Sequence, residues 1–199
     1  MPYPMTHLAV ARGRAESLGI AEPASFYLGS VAPDAYHWMR PEKSLAERAR
    51  AHFTDGGDPS ERIRERFTGA RTDFESGYAL HLLVDLFWDE AVLQPFLRDG
   101  SYALYTHDMG VLDVLFYLRE DAEATIFPLL AAAEPRGLDD LISPEQAGRE
   151  RDLTVTWYRN KITLADERPR GPFSMASLLD AADGAARFAL RKWATLFRN

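Results

Sequence analysis

Residues 77–90, GYALHLLVDLFWDE, set His81 and Asp85 four positions apart inside an otherwise apolar run. In a helix these two side chains lie one above the other on a single face, while Tyr78, Leu82, Leu86 and Phe87 keep the segment oily around them. A helix this apolar has to be enclosed by other elements, and a charge enclosed with it needs a partner. The fold must therefore wrap a central helix and bring polar groups to His81 and Asp85.

The rest of the chain suits such a wrapping. Its 199 residues, 46% hydrophobic and 12% aromatic, supply a core for one compact domain covering 1–199, with no composition break that asks for two. Apolar residues recur at helical spacing in most segments and the β-rich stretches are short, so the expected fold is an all-α, single-domain multi-helix bundle. Helices are expected over 6–18, capped by Thr6 and ended by Gly19, and from Glu22 to Gly29 or Ser30, before a turn in which Pro33 holds Asp34 at a junction. Further helices are expected over 44–53, over 59–68 with Asp58 or Ser60 as cap, and as one long central helix over 73–96. The second half reads as helices over 101–118 and 122–133, one starting at Pro144, and a last one over 174–197, with ADERPRGPFS as the most linker-like stretch.

Composition narrows the chemistry. With no cysteine, thiol nucleophiles and thiolate metal sites are excluded, and any metal has to be held by histidine, carboxylate and water. A net charge of -7 opposes a stable nucleic-acid partner, whose phosphates need basic clusters. The N-terminus lacks a basic segment followed by an apolar core, and no run approaches the roughly 18 apolar residues of a spanning helix. No integral membrane segment is expected, and a cytoplasmic location follows as the default.

Five histidines, His7, His37, His52, His81 and His107, fall within helices or near their ends, and Asp34, Asp85 and Asp108 accompany three of them. A histidine and an aspartate at i and i+4 can bind one ion from a single helix face, as the two histidines of an H-E-x-x-H helix do. Taken alone the pair is equally explained by a buried His-Asp ion pair between packed helices. The order of the pieces adds to it: TH near the start, FYLGSVAPDA, AHF, then GYALHLLVD followed by tryptophan. In that order the chain, over roughly residues 5–113, resembles the zinc-dependent phospholipase C family, in particular its small intracellular bacterial members.

The resemblance implies that Asp34, His52, His81 and Asp85 share one metal ion, and that His7 binds a second ion near a bridging Asp85. It further implies zinc, or another divalent transition metal, as cofactor, with a small-molecule phosphoester or phospholipid-like molecule as substrate. Asp34 is then the catalytic residue, the base toward the attacking water. His37, three residues after Asp34, and Asp113 are the expected supporting groups around the ligands. Two departures stand out. The secreted enzymes use the free amine of an N-terminal tryptophan as a ligand, whereas this chain begins MPYPM; and their later HxxxE pair is reduced here to His107 with Val111 four residues on. One ion, or two, is therefore expected in place of three.

Two other readings compete. THDMG, residues 106–110, is similar to the dyad of HD-domain phosphohydrolases, which would use His107 and Asp108 with His52 or His81 and a later aspartate such as Asp140 or Asp180. The other is a non-catalytic helical binding protein with a structural ion or a buried His-Asp network. Trp88, Tyr27 and Tyr78 are expected in the core, and Arg62, Arg64 and Arg66 on an exposed face.

Overall fold

The computed structural model describes residues 3–36, 41–69, 71–139 and 141–197, with backbone alone for 41–44 and for 99. Among them the fold is all-α: eleven α-helices, short 3₁₀ and π turns, and no strand beyond an isolated bridge between Leu138 and Ile142. None of these helices is long and apolar enough to cross a membrane.

The first half comprises α1 (Pro4–Arg14), α2 (Pro23–Gly29), a 3₁₀ turn (Ala32–Tyr36), α3 (Pro41–Ala51), α4 (Pro59–Phe67) and α5 (Asp73–Trp88). A π turn (Asp89–Leu93) carries α5 into α6 (Gln94–Asp99). The second half contains α7 (Tyr102–Arg119), α8 (Ala122–Thr125), α9 (Phe127–Ala132), α10 (Pro144–Lys161), a second 3₁₀ turn (Ile162–Asp166) and α11 (Met175–Leu196).

α5 is the axis. Thr72 and Glu75 close its start with a reciprocal capping box, and residues 76–84 are buried without a break, so neighbours surround the helix on all sides. α2 and α11 pack most closely against it, with α4 beside them. Two glycines set the α2–α5 crossing. A Cβ on Gly77 would overlap the Phe26 carbonyl oxygen and lie 2.9 Å from Ser30 N, and a Cβ on Gly29 would overlap the Phe74 carbonyl oxygen. The two backbones therefore meet directly, which brings the residues after α2 within reach of the middle of α5. Trp88, Tyr27 and Tyr78 are buried in this core; Trp88 Nε1 donates to Tyr105 Oη at 2.8 Å, and Tyr78 Oη to the Ala51 carbonyl at 3.0 Å.

Several boundaries differ from the sequence expectation. α1 starts at Pro4 with Tyr3 as its N-cap, and Thr6 lies inside the helix with its N–H and hydroxyl both given to Asp113, so it is not the cap. The long helix expected over 73–96 changes register at the π turn, beyond which Pro95 opens α6 without a backbone N–H. The helix expected over 122–133 divides at Ile126 (φ -114°), where Pro128 cannot supply the donor that would continue it. The expected Asp58 cap is present, accepting from Ser60 N at 2.8 Å.

Candidate metal centre

Each side chain of the expected site is placed by a distinct stretch of the fold. α1 carries His7, the first 3₁₀ turn carries Asp34, His52 follows the end of α3, and His81 and Asp85 lie one turn apart on α5. α3 ends in a tight reversal: Phe53 adopts φ 55°, Phe53 N donates to the Arg50 carbonyl and Thr54 N to the Ala49 carbonyl. A left-handed residue normally left to glycine closes the helix directly after His52 and turns the chain away. His52 is thus held at a fixed terminus.

The five side chains converge. His81 Nε2 and His52 Nε2 stand 3.3 Å apart, His52 Nε2 is 3.4 Å from both Asp34 Oδ1 and Asp85 Oδ2, and His81 Nε2 is 3.4 Å from Asp85 Oδ2. On the other side of Asp85, Oδ1 is 3.5 Å from His7 Nε2. The His7 and His81 rings stack with centroids 3.8 Å apart and planes 8° from parallel. All five side chains are buried or nearly so; Asp85, at 12% exposure, is the most accessible.

The tautomers follow from the backbone. His81 Nδ1 lies 2.9 Å from the Ser30 carbonyl and His52 Nδ1 2.9 Å from the Arg48 carbonyl. A carbonyl oxygen only accepts, so in both rings Nδ1 carries the proton and Nε2 presents a lone pair. Two imidazole lone pairs and two carboxylate oxygens then face one another at 3.3–3.4 Å. Acceptors do not gather like this in a buried site without a cation between them. Four ligands around an ion at bond lengths of about 2.0–2.1 Å form a tetrahedron with edges of about 3.3–3.4 Å. The four measured separations match those edges, and Asp34, His52, His81 and Asp85 form a donor set able to hold one divalent ion.

Charge in the cluster is divided unevenly. Burial opposes a proton on His81, but Asp85 and Asp34 outweigh it and raise the imidazole above its ordinary value. Burial would raise Asp85, yet the facing His81 and His7 hold it well below the usual carboxylate range. His7 goes the other way: burial, with His81 alongside, lowers it to about 4 and leaves a neutral ring at neutral pH. Neither ring nitrogen of His7 has a hydrogen-bond partner. Without an ion, a proton on His81 is what screens the acceptors from one another.

Asp113, expected beside the ligands, acts through the backbone. From α7, fully buried, its Oδ1 accepts from Thr6 N at 3.1 Å and Thr6 Oγ1 at 3.0 Å, and its Oδ2 from Met5 N at 3.2 Å and the Tyr158 hydroxyl. It caps the start of α1 and so fixes the helix that carries His7. Burial pushes the Asp113 carboxyl up to about 6, against four donors that favour the anion. Asp113→Ala would strand the Thr6 N–H and the Tyr158 hydroxyl in the core, at an expected cost of about 2–3 kcal/mol. Thermal denaturation should register this as a fall of about 4–12 °C, with Asp113→Asn recovering part of it.

The sequence gives no sign of the Ser30 and Arg48 carbonyls or of Tyr158 as supports; only the tertiary fold brings them to the rings and to α1. His37 lies outside the described residues, as does Asp140. His107 and Asp108 fall outside both metal-capable groups of the described residues. His107 Nε2 is 3.1 Å from Glu167 Oε2 and its Nδ1 3.0 Å from Asp108 Oδ1, while Asp108 accepts from Arg170 N and Gly171 N at 2.7 Å. The pair fastens the segment before α11 to α7; Asp180, the other late aspartate of that reading, is exposed. Arg64 is exposed, whereas Arg62 and Arg66 are half-buried and paired with Asp55 and Asp139.

Compared with protein-family models, with curated proteins and with solved structures, the chain finds no match in any of the three.

Proposed function

We propose that the protein is a divalent-metal hydrolase of phosphoesters, with zinc as the fitting ion and a phospholipase C-like arrangement of ligands. The observation that carries this reading is the facing of two carbonyl-oriented imidazole lone pairs and two carboxylate oxygens at tetrahedral-edge spacing. Histidine with carboxylate suits zinc, though nickel, manganese or iron would also accept these donors. The order of TH, APD, AHF and HLLVD, which resembles the zinc-dependent phospholipase C family, agrees with it.

When bound, such an ion supplies Lewis acidity toward a phosphoryl oxygen and acidifies a water. The chain's own residues do the rest. Ser30 and Arg48 hold two imidazoles in the ligating tautomer, so little orientation is lost on binding. Asp34, on its turn beside His52, is the carboxylate that orients the attacking water and accepts its proton. Asp85 keeps the only edge of the cluster with appreciable exposure. The substrate class is small phosphoesters, with phospholipid-like diesters among the candidates.

Metal-loaded protein assayed against aryl phosphomonoesters and phosphodiesters tests the proposal. Hydrolysis is expected, and Asp34→Asn should lower turnover by about 100-fold or more, the range of a lost general base. No turnover of any ester by fully loaded parent would leave the ion a structural role. The enclosure of the cluster, 0–12% exposed, favours that structural ion as the second reading.

A further inference from the structure

His7 is a ligand-type side chain without a partner. It is 1% exposed, both ring nitrogens lack a hydrogen bond, and its nearest polar atom across the cluster is Asp85 Oδ1 at 3.5 Å. That separation is close to one more tetrahedral edge, on the face of Asp85 turned away from His52 and His81. The two halves of the cluster are not equivalent. Carbonyls aim the His52 and His81 rings, whereas His7 is placed only by stacking on His81 and by the Asp113 clamp on its backbone. Asp34 and His81 are the remaining donors grouped with His7, and both already serve the first ion.

Charge counting supplies the next step. One divalent ion against Asp34 and Asp85, with neutral imidazoles, gives a neutral buried site. A second divalent ion at His7 finds no further carboxylate among the described residues grouped there, and leaves about two positive charges in a buried cluster. It also has only two protein atoms to itself, which leaves coordination positions to be filled from outside. A dianionic oxyanion meets both needs: it balances the charge and donates oxygens.

We propose that His7 and Asp85 form a second, weaker cation site that is completed by a phosphoryl dianion, so that the second ion and the anion bind together. This rests on the metal reading above and sharpens its substrate class: a phosphomonoester, or free phosphate as product, is held better than a diester monoanion. The coupling is reciprocal, since whatever the anion adds to ion affinity the ion adds to anion affinity.

Cobalt(II) binding to the metal-free full chain, followed by calorimetry and by the visible spectrum, tests this in chloride, inorganic phosphate, phenylphosphonate or dimethyl phosphate. The first equivalent should bind alike in all four. The second should tighten at least about fivefold with phosphate and phenylphosphonate and stay weak with dimethyl phosphate. Tightening by phosphate alone would assign the site to the free ion and overturn the substrate assignment. His7→Ala and the bulkier His7→Gln should keep the first equivalent and lose the anion-dependent second. A second equivalent equally tight in chloride, one that survives in both His7 variants, or none in any buffer overturns the proposal. Absence of the first equivalent as well defeats the metal reading itself, which separates the two failures.

Discussion

Replacing His81 by alanine is expected to strip the protein of its metal. The parent, purified without a histidine tag or chelator, should carry about one to two equivalents of zinc, nickel, manganese or iron by elemental analysis, and His81→Ala should carry almost none. His81 is fully buried, its tautomer is fixed by Ser30, and its Nε2 lies 3.3–3.4 Å from two other donors of the tetrahedron. Loss of a supporting hydrogen bond around a metal costs about 10–100-fold in affinity, so loss of a ligand should exceed about 100-fold. His107→Ala is the matched control. Its ring is tied to Asp108 and Glu167, and its removal should leave metal content unchanged. Equal loss from both variants would restore the reading in which His107 and Asp108 bind the ion. A parent that takes up no metal after reconstitution would leave a buried His-Asp network held together by a proton.

Gly77→Ala is expected to be among the most damaging single-methyl changes in the molecule. The added carbon would overlap the Phe26 carbonyl oxygen and approach Ser30 N to 2.9 Å, and neither is the yielding end of a side chain. α2 and α5 would have to separate, at a cost of about 3–4 kcal/mol, which in a chain of this length lowers the melting temperature by about 6–16 °C. A second effect identifies the cause. Ser30 follows α2 directly, and its carbonyl orients the His81 ring, so separation of the helices should also weaken metal binding in protein that remains folded. Gly29→Ala acts on the same crossing through the Phe74 carbonyl, and the double variant should lose less than the sum of the two. Full stability in Gly77→Ala would show that the backbones do not meet there.

The central helix and its His81–Asp85 face are legible in the sequence because period and polarity agree: an apolar run of helical spacing with two polar residues one turn apart fits an enclosed helix carrying a polar site and little else. The convergence of His7, Asp34 and His52 on that face followed from their order along the chain, and the fold brings all of them within ion-pair distance of one another or of Asp85. The supports could not be read in the same way. Ser30 and Arg48 act through carbonyls, which every residue has, and Gly77 acts by lacking a side chain. Asp113 is a residue type more often solvated, and nothing local distinguishes it from Asp121 until α1 is seated on α7. The π turn after Trp88 escaped because apolar spacing runs through it, and only the hydrogen-bond register changes.

The Asp113–Tyr158 clamp on α1 has a consequence for the order in which the nascent chain matures. Asp34, His52, His81 and Asp85 all lie within the first 85 residues, so the donors of the first ion are synthesised before α7, α10 and α11 exist. His7 emerges earliest of the five, yet its helix is anchored by side chains at 113 and 158 that the ribosome adds after all five ligands. The oldest ligand is therefore the last to be seated, and a half-made chain can acquire one ion but must wait for its C-terminal half before His7 can take part.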